Sequence, residues 1–288
     1  MAITINSSIA AMHARRSLDK NTSALNVSLS RLASGLRINS ASDDAAGLAL
    51  STRMTAKILS ANSAMKNVND GISLMQVADS ALIETTTALQ RIRELAVQAN
   101  TSTISGTAQN NLQIEVAELM SEIQRISTTT DFNDIKLLDG TYSAGGNVFQ
   151  IGIEGGQTIA MSIAGASVAK IGASTGVDQN AISVGSAAYN TGYIASTIDN
   201  VDVAIDSVAN IRAQIGAYQS RLESIVNSLS SMVDVTEVAK SRITDVDVAQ
   251  ETANMTRLTI LQQAGIAVLA QANQQPGMAY KLLVGFNN

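Results

Sequence analysis

Cysteine and tryptophan are absent from the chain, proline occurs once, at Pro276, and aromatic residues make up 3% of its 288 positions. Without cysteine there is no disulfide, no thiolate metal site and no cysteine nucleophile, and the compartment stays open. With few aromatics, the core is built from Leu, Ile, Val, Met and Ala. That composition fits long packed helices better than a compact enzyme anchored on aromatic side chains. Met54, Met65 and Met75 accordingly read as packing rather than as a binding groove. Basic residues are scarce as well: 19 Lys and Arg stand against 24 Asp and Glu, a net charge of −5. No basic face is left to neutralise phosphates, which argues against a nucleic-acid partner. The single histidine, His13, has no second His, Cys or carboxylate cluster to support a metal site, so it reads as a surface or seam residue. Asp43 and Asp44 read as helix-capping groups rather than paired catalytic carboxylates. The glycines between 152 and 156 lack the Gly-Lys-Ser/Thr ending of a phosphate loop, and no helix follows them. No nucleophile, base and orienting group come together, so the expectation is no enzyme and no cofactor. The N-terminal stretch does not read as a signal peptide, because Arg15 and Arg16 follow its apolar part instead of preceding it. Work outside the cell would require another way out.

What the chain does have is an uncharged C-terminal stretch. From Leu258 to Tyr280 there is no charged residue, and apolar residues lie on more than one face: Leu258, Leu261 and Val268 on one, Ile266 and Leu269 beside them. A helix apolar nearly all round must be buried. The far N-terminus, a membrane or further copies of the chain are the available covers. A spanning helix of about 20 residues fits by length. Gln262, Gln263, Gln271, Asn273, Gln274 and Gln275 would carry unpaired amides into hydrocarbon, so membrane insertion is not expected. Amides at this density, with Gly265 and many alanines, suit a close protein–protein seam.

The remaining rhythm is helical at both ends and broken in the middle. Residues 3–36 form an amphipathic helix with apolar positions at Ile5, Ile9 and Met12, then Leu18, Leu25 and Leu32 at a spacing of seven, with Leu29 and Leu36 completing a 3-4 alternation. Gly35 is placed to end that helix, and Ser42 or Asp43 to cap the next. A second helix over about 44–100 follows the row Ile58, Ala61, Met65, Val68, Ile72, Met75, Ala78, Leu82, Thr85, Leu89, Ile92, Ala96, Ala99, with a stammer between Met75 and Ala78. A Ser/Thr/Gly turn at 100–107 leads to a third, antiparallel helix through Leu112, Val116, Leu119, Ile123 and Ile126. Alternating runs at 148–153 and 158–163 around Gly155 and Gly156 predict a β-hairpin. The rest, to about 190, reads as exposed loop and short strand, dispensable for assembly. A fourth helix has an unbroken heptad row from Val201 through Ala204, Val208, Ile211, Ile215, Tyr218, Leu222, Ile225 and Leu229 to Met232. A polar stretch at 234–251 leads from it to the terminal helix.

These elements predict a mainly α chain: an elongated helical coiled coil and bundle from paired N- and C-terminal segments, with a small β-hairpin region in the middle. The expected parts are 1–43 with 253–288 as a discontinuous coiled-coil assembly domain, and 44–252 as a helical bundle with its hairpin around 140–190. The expected assembly seam is Leu18, Leu25, Leu32, Leu258, Leu261 and Val268. Such terminal helices cannot bury themselves alone and should order when copies stack.

The motifs LASGLRIN at 32–39, DDAAG at 43–47, NDGIS at 69–73, LQRIRELAVQ at 89–98, SRI at 241–243, ILQQAG at 260–265 and VLAQANQ at 268–274 resemble bacterial flagellin, the subunit of the flagellar filament. The resemblance covers about 1–140 and 195–283. It implies an inner coiled-coil domain from both termini, a helical domain with a hairpin outside it, and, given the short centre, no large outer domains. It also implies self-assembly into an extracellular filament for swimming, after export through the flagellar type III apparatus. The implied partners are that apparatus, an export chaperone bound near the C-terminus, the filament cap and the hook–filament junction proteins. Residues 90–98 resemble the part recognised by the flagellin-sensing Toll-like receptor of vertebrates. That resemblance would make Arg91, Leu95 and Glu115 the contact residues. A solvated or inter-subunit ion pair is the other reading of Arg91. The tail from Val284 to Asn288 is slightly longer than the family usually shows. The alternatives to a filament subunit are a secreted enzyme, which lacks a catalytic constellation here, and a soluble helical adaptor, which would not need an uncharged terminal helix. The hook–filament junction proteins have similar end segments, but the extended match at both ends favours flagellin.

Overall fold

The computed structural model describes residues 9–101, 103–143, 147–171, 182–185 and 191–285, and of 191–193, 275, 276 and 278–285 the backbone alone. Five helices are described: α1 (Ile9–Ser34), α2 (Ala45–Ala99), α3 (Gly106–Thr129), α4 (Thr191–Thr244) and α5 (Val248–Gly285). Between α3 and α4 lie two antiparallel pairs, β1 (Asp131–Phe132) with β2 (Ile135–Lys136), and β3 (Val148–Gln150) with β4 (Thr158–Ala160). The chain is therefore mainly α with small strand pairs in its middle. It divides into two compact units, Leu59–Asp234 and the discontinuous pair Met1–Ile58 with Val235–Asn288. The dividing points fall inside α2 and α4, whereas the expected boundaries, 43/44 and 252/253, lie at or near the breaks between helices.

Local chemistry explains the helix ends. Gly35 sits at φ +71°, the left-handed conformation that stops α1 at Ser34. The cap of α2 is Asp44, one residue beyond the expected pair. Its Oδ1 accepts from the Gly47 N–H at 2.9 Å. Asp43 instead braces the preceding turn, with its Oδ2 accepting from the N–H groups of Ser40 at 2.9 Å and Asn39 at 3.2 Å. These bonds, the Ser40 N–H foremost, hold its carboxyl below the usual carboxylate range. Ser105 caps α3 by accepting from the Ala108 N–H at 3.4 Å. The turn joining β1 to β2 has both central residues, Asn133 (φ 51°) and Asp134 (φ 64°), in the left-handed region. Two adjacent residues at positive φ are the geometry of a two-residue hairpin turn, and Asn and Asp tolerate it best after glycine. Sequence reading missed this hairpin, although the Asn-Asp dipeptide is its signal. The second hairpin stands where the alternation predicts it, with Phe149 opposite Ile159 and Gly156 (φ +88°) in its turn.

The core of the Leu59–Asp234 unit is made by the two long rows meeting. From α2, Ala61, Val68, Met75, Ala78, Leu82, Leu89, Ile92, Ala96 and Ala99 are buried, and from α4, Val201, Ala204, Val208, Ile211, Ile215, Leu222 and Leu229. The stammer leaves α2 unbroken, with Met75 and Ala78 both fully inside. The segment expected to be exposed loop is, where described, part of this core. Ala166, Ile171, Ile182 and Val184 are each at most 1% exposed. The Ala166 N–H donates to the Leu138 carbonyl at 2.8 Å, and the Val184 N–H to Gln113 Oε1 at 2.6 Å. The small residues that read as loop are what close packing requires here. A Cβ on Gly165 would stand 2.8 Å from the Gly140 Cα, and one on Gly140, at φ +95°, would meet the Lys170 side chain. Residues 172–181 and 186–190 of that segment lie outside the described residues.

Candidate assembly interface

In the discontinuous unit, α1 packs against α5. Each helix presents its less exposed residues in a 3-4 rhythm: Ala11, Ala14, Leu18, Asn21, Leu25, Ser28 and Leu32 on α1, and Glu251, Met255, Leu258, Gln262, Gly265, Leu269 and Ala272 on α5. The two run antiparallel. A Cβ on Gly265 would touch Leu18 at 3.4 Å, Gln262 Nε2 donates to Thr22 Oγ1 at 3.4 Å, and Ser28 Oγ donates to the Glu251 carbonyl at 3.5 Å. Of the expected seam, Leu18, Leu25, Leu32 and Leu258 are half-buried on this intrachain face. Leu261 and Val268 are not: they remain 44% and 59% exposed.

At 100° per residue, Leu261, Ala264 and Val268 form one flank of α5, Ile266 the opposite flank, and Ile260 with Ala267 its back. Ile9, Met12, Val27 and Leu29 of α1 are exposed in the same way. Against this, only Ile38 and Ala272 of the unit's described apolar residues are fully buried. One helix against another hides a single stripe, so a helix apolar all round keeps the rest in water. Ile9, Met12, Ile260 and Ile266 join Leu261 and Val268 in that uncovered set. Ile260 was hard to single out because the charge-free stretch marks no face as outer. No described helix is long and apolar enough to cross a membrane.

The breaks α1–α2 and α4–α5 are tied to each other. Leu36 and Asp245 form an isolated antiparallel bridge. The Arg37 N–H donates to the Thr244 carbonyl at 2.6 Å, Arg37 Nη2 to the Ile243 carbonyl at 2.6 Å, and the Val246 N–H to the Gly35 carbonyl at 3.0 Å. Carbonyls left over at the end of α4 are thus satisfied from across the junction, with a guanidinium at the negative end of the helix dipole. Asp247 then starts α5, its Oδ1 accepting from the Gln250 N–H at 3.1 Å.

The second candidate cluster lies on α2 and α3. Arg91 reaches Glu115 Oε1 through Nε and Nη2, both at 2.9 Å, and Glu94 Oε2 through Nη1 at 3.1 Å. Glu115, then Glu94, push the guanidinium pKa further up by hydrogen bonding. Arg91 and Glu115 are about half exposed. Leu95 is 1% exposed and packs in the core, so its side chain presents no surface for contact. Its place follows from α2, where 92, 95, 96 and 99 turn to the same inner face. His13 is exposed on α1, and among the described residues no three His, Cys, Asp or Glu side chains are grouped to hold a metal.

The family model described as the bacterial flagellin N-terminal helical region matches residues 5–143, and that of the C-terminal helical region matches 198–283. The chain is 42% identical to flagellin of Bacillus subtilis, over 97% of this chain and 99% of that one. It is 41% identical to flagellin of Halalkalibacterium halodurans with the same coverage. Among solved structures, a chain described as a flagellar hook-associated protein from Vibrio parahaemolyticus has the same fold, with a TM-score of 0.57 at 15% identity, covering 70% of this chain and all of that one.

Proposed function

The chain belongs to the bacterial flagellin family, self-polymerising structural proteins of the extracellular flagellar filament, and from that premise we propose that its copies join through the uncovered flanks of α1 and α5. One observation carries this reading: the unit containing these helices fully buries only Ile38 and Ala272 of its described apolar residues, while Ile9, Met12, Ile260, Leu261, Ile266 and Val268 stay exposed. Neighbouring copies supply the missing cover, and α5 carries no charge from Leu258 to Tyr280 because its flanks there become interior. The assembly part comprises 1–43 with 253–288, and the bundle 44–252. Leu18, Leu25, Leu32 and Leu258 hold the pair together, and Leu261 and Val268 face the neighbouring copy. The subunit travels unfolded through the flagellar type III apparatus, with an export chaperone covering α5 beforehand, and meets the cap and the hook–filament junction proteins in the filament.

Leu261→Asp or Val268→Asp is expected to abolish filaments in seeded polymerisation followed by negative-stain microscopy, while helical content and the melting of the Leu59–Asp234 unit stay unchanged. Wild-type filament yield from either variant would overturn the assignment. The Arg91–Glu115 pair is the proposed contact for a flagellin-sensing Toll-like receptor. The support is its partial exposure together with an ion pair that pre-orders both side chains. Leu95 contributes by seating α2 beneath that pair. Arg91→Ala should weaken receptor binding without changing the melting curve, and unchanged binding would remove the receptor from this surface.

A further inference from the structure

Charge is spread unevenly along the chain. Residues 59–234 hold 8 Lys and Arg against 17 Asp and Glu, residues 1–58 hold 7 against 3, and residues 235–288 hold 4 against 4. Copies that polymerise bring an acidic bundle and a basic N-terminal segment into one lattice. On the basic side, Leu50, Arg53 and Lys57 stand three and four residues apart on one side of α2. Leu50 is 46% exposed, and Arg53 and Lys57 are exposed beside it. Among the described residues, neither cation has an ion pair or a side-chain hydrogen bond.

On the acidic side, a groove of about 610 Å³ opens between α2, the β1–β2 hairpin and β3. Its apolar lining runs from buried Leu74 and Tyr142, through half-buried Phe132 and Phe149, to Ile135 and Val148, which are 47% and 54% exposed. Asp70 lines it too, and Asp134 stands in the adjoining turn. Both are exposed carboxylates without an ion-pair partner among the described residues. Lys136, the cation of that hairpin, already lies 3.7 Å from Asp131.

We propose that the strip Leu50, Arg53 and Lys57 of one copy docks on the groove of the next, with Leu50 entering between Ile135 and Val148 and the two cations meeting Asp70 and Asp134. An apolar side chain flanked by two cations then meets an apolar groove flanked by two carboxylates. Strip and groove are different surfaces of the same chain, so the contact is heterologous. A heterologous contact that does not close into a ring propagates as an open helical polymer. This contact goes beyond the uncovered flanks of α1 and α5 and supplies what they lack. Residues 258–280 of α5 carry no charge, and apolar attraction has no direction, whereas matched charges fix the orientation of the incoming copy.

Reversing the charges of strip and groove separately, in the full-length chain, tests the contact. Arg53→Glu with Lys57→Glu makes the strip acidic. Asp70→Lys with Asp134→Asn makes the groove basic, and Asn tolerates the left-handed backbone at 134. In seeded polymerisation at low salt, each variant alone should raise the critical concentration about tenfold, because like charges then face each other, and added salt should shrink the defect. An equimolar mixture of the two should polymerise close to the wild-type concentration. Each reversed strip then finds a reversed groove, and each native strip a native one, on a different copy. Wild-type assembly of either variant alone overturns the proposal. So does a mixture that stays as poor as its parts, and if all four substitutions in one chain restore assembly where the mixture does not, the pairing lies inside a chain. The single reversals Lys57→Glu and Asp70→Lys, both at exposed helical sites, repeat the test where a double variant fails to fold. Leu261→Asp leaves strip and groove unchanged, so failure of the flank contact and failure of this one are read separately.

Discussion

Single residues in the Leu59–Asp234 unit set how it responds to acid. Asp202 accepts from Arg93 Nε at 2.6 Å and from Nη2 at 3.2 Å, and this hydrogen bond, ahead of the Coulomb attraction, holds its carboxyl below the usual carboxylate range. A depressed folded-state pKa contributes stability that is present above the unfolded value and lost as pH falls through the folded one. The pair is nearly half exposed, so its share is small. Stability should be flat from neutrality down to about pH 4, the ordinary carboxylate value, and fall below it. Asp202→Asn should be slightly less stable than wild type at pH 7 and equal to it near pH 2, as read by denaturant titrations at each pH. A constant gap across the range would mean that the ion pair does not titrate as its geometry implies. Leu95 gives the sequence lesson at this scale. Resemblance marks it as a contact, and the row read from sequence, through Ile92, Ala96 and Ala99, passes it by. The structure turns it to the same inner face as that row, which is wider than one residue per turn.

Among elements, the rows that fix the bundle were readable because burial on a helix repeats every three or four residues, and α2 and α4 each meet enough neighbours to keep one row dry. The segment between β4 and α4 has no such period. Its core residues Ala166, Ile171, Ile182 and Val184 enter through irregular backbone, held by bonds such as that from the Val184 N–H to Gln113. Composition rich in Gly, Ser and Ala then imitates an exposed loop. Ile182→Ala should cost about 2–5 kcal/mol in chemical denaturation, the range for a fully buried aliphatic truncation. A cost under about 0.5 kcal/mol, typical of surface positions, would return the segment to the outside. Deleting 165–190 should unfold the bundle rather than spare it, visible as loss of its cooperative melt. The β1–β2 turn offers the opposite sign. Asp134→Gly places glycine at φ 64° in an Asn-Gly turn and should raise the melting temperature modestly, with a decrease showing that the left-handed pair is not the native turn.

For the whole molecule, the division into units predicts uneven stability. The Leu59–Asp234 unit is a continuous stretch of chain with its own core, from Ala61, Ala64 and Leu229 through to Ile182 and Val201. Expressed alone, residues 59–234 should give a helical, cooperatively melting protein, and a broad non-cooperative melt would show that it depends on the terminal helices. The terminal unit hides little apolar surface and should exchange its amide hydrogens faster in the free chain than the bundle does. Which faces of α5 are covered could not be read from sequence. Leu258 and Leu261 are one turn apart and chemically identical, yet one is half-buried against α1 and the other exposed. Only the place of the partner helix separates them.

That the terminal unit is built from both ends of the chain also makes it a check on completeness. A product that stops before residue 248 has α1 but no α5 to pair with it, and one that begins after residue 34 has the reverse. Either fragment can still carry residues 59–234 intact, yet neither forms the paired surface. On the assembly proposed above, joining a growing polymer through that surface would screen each newcomer for its first and last helices at once.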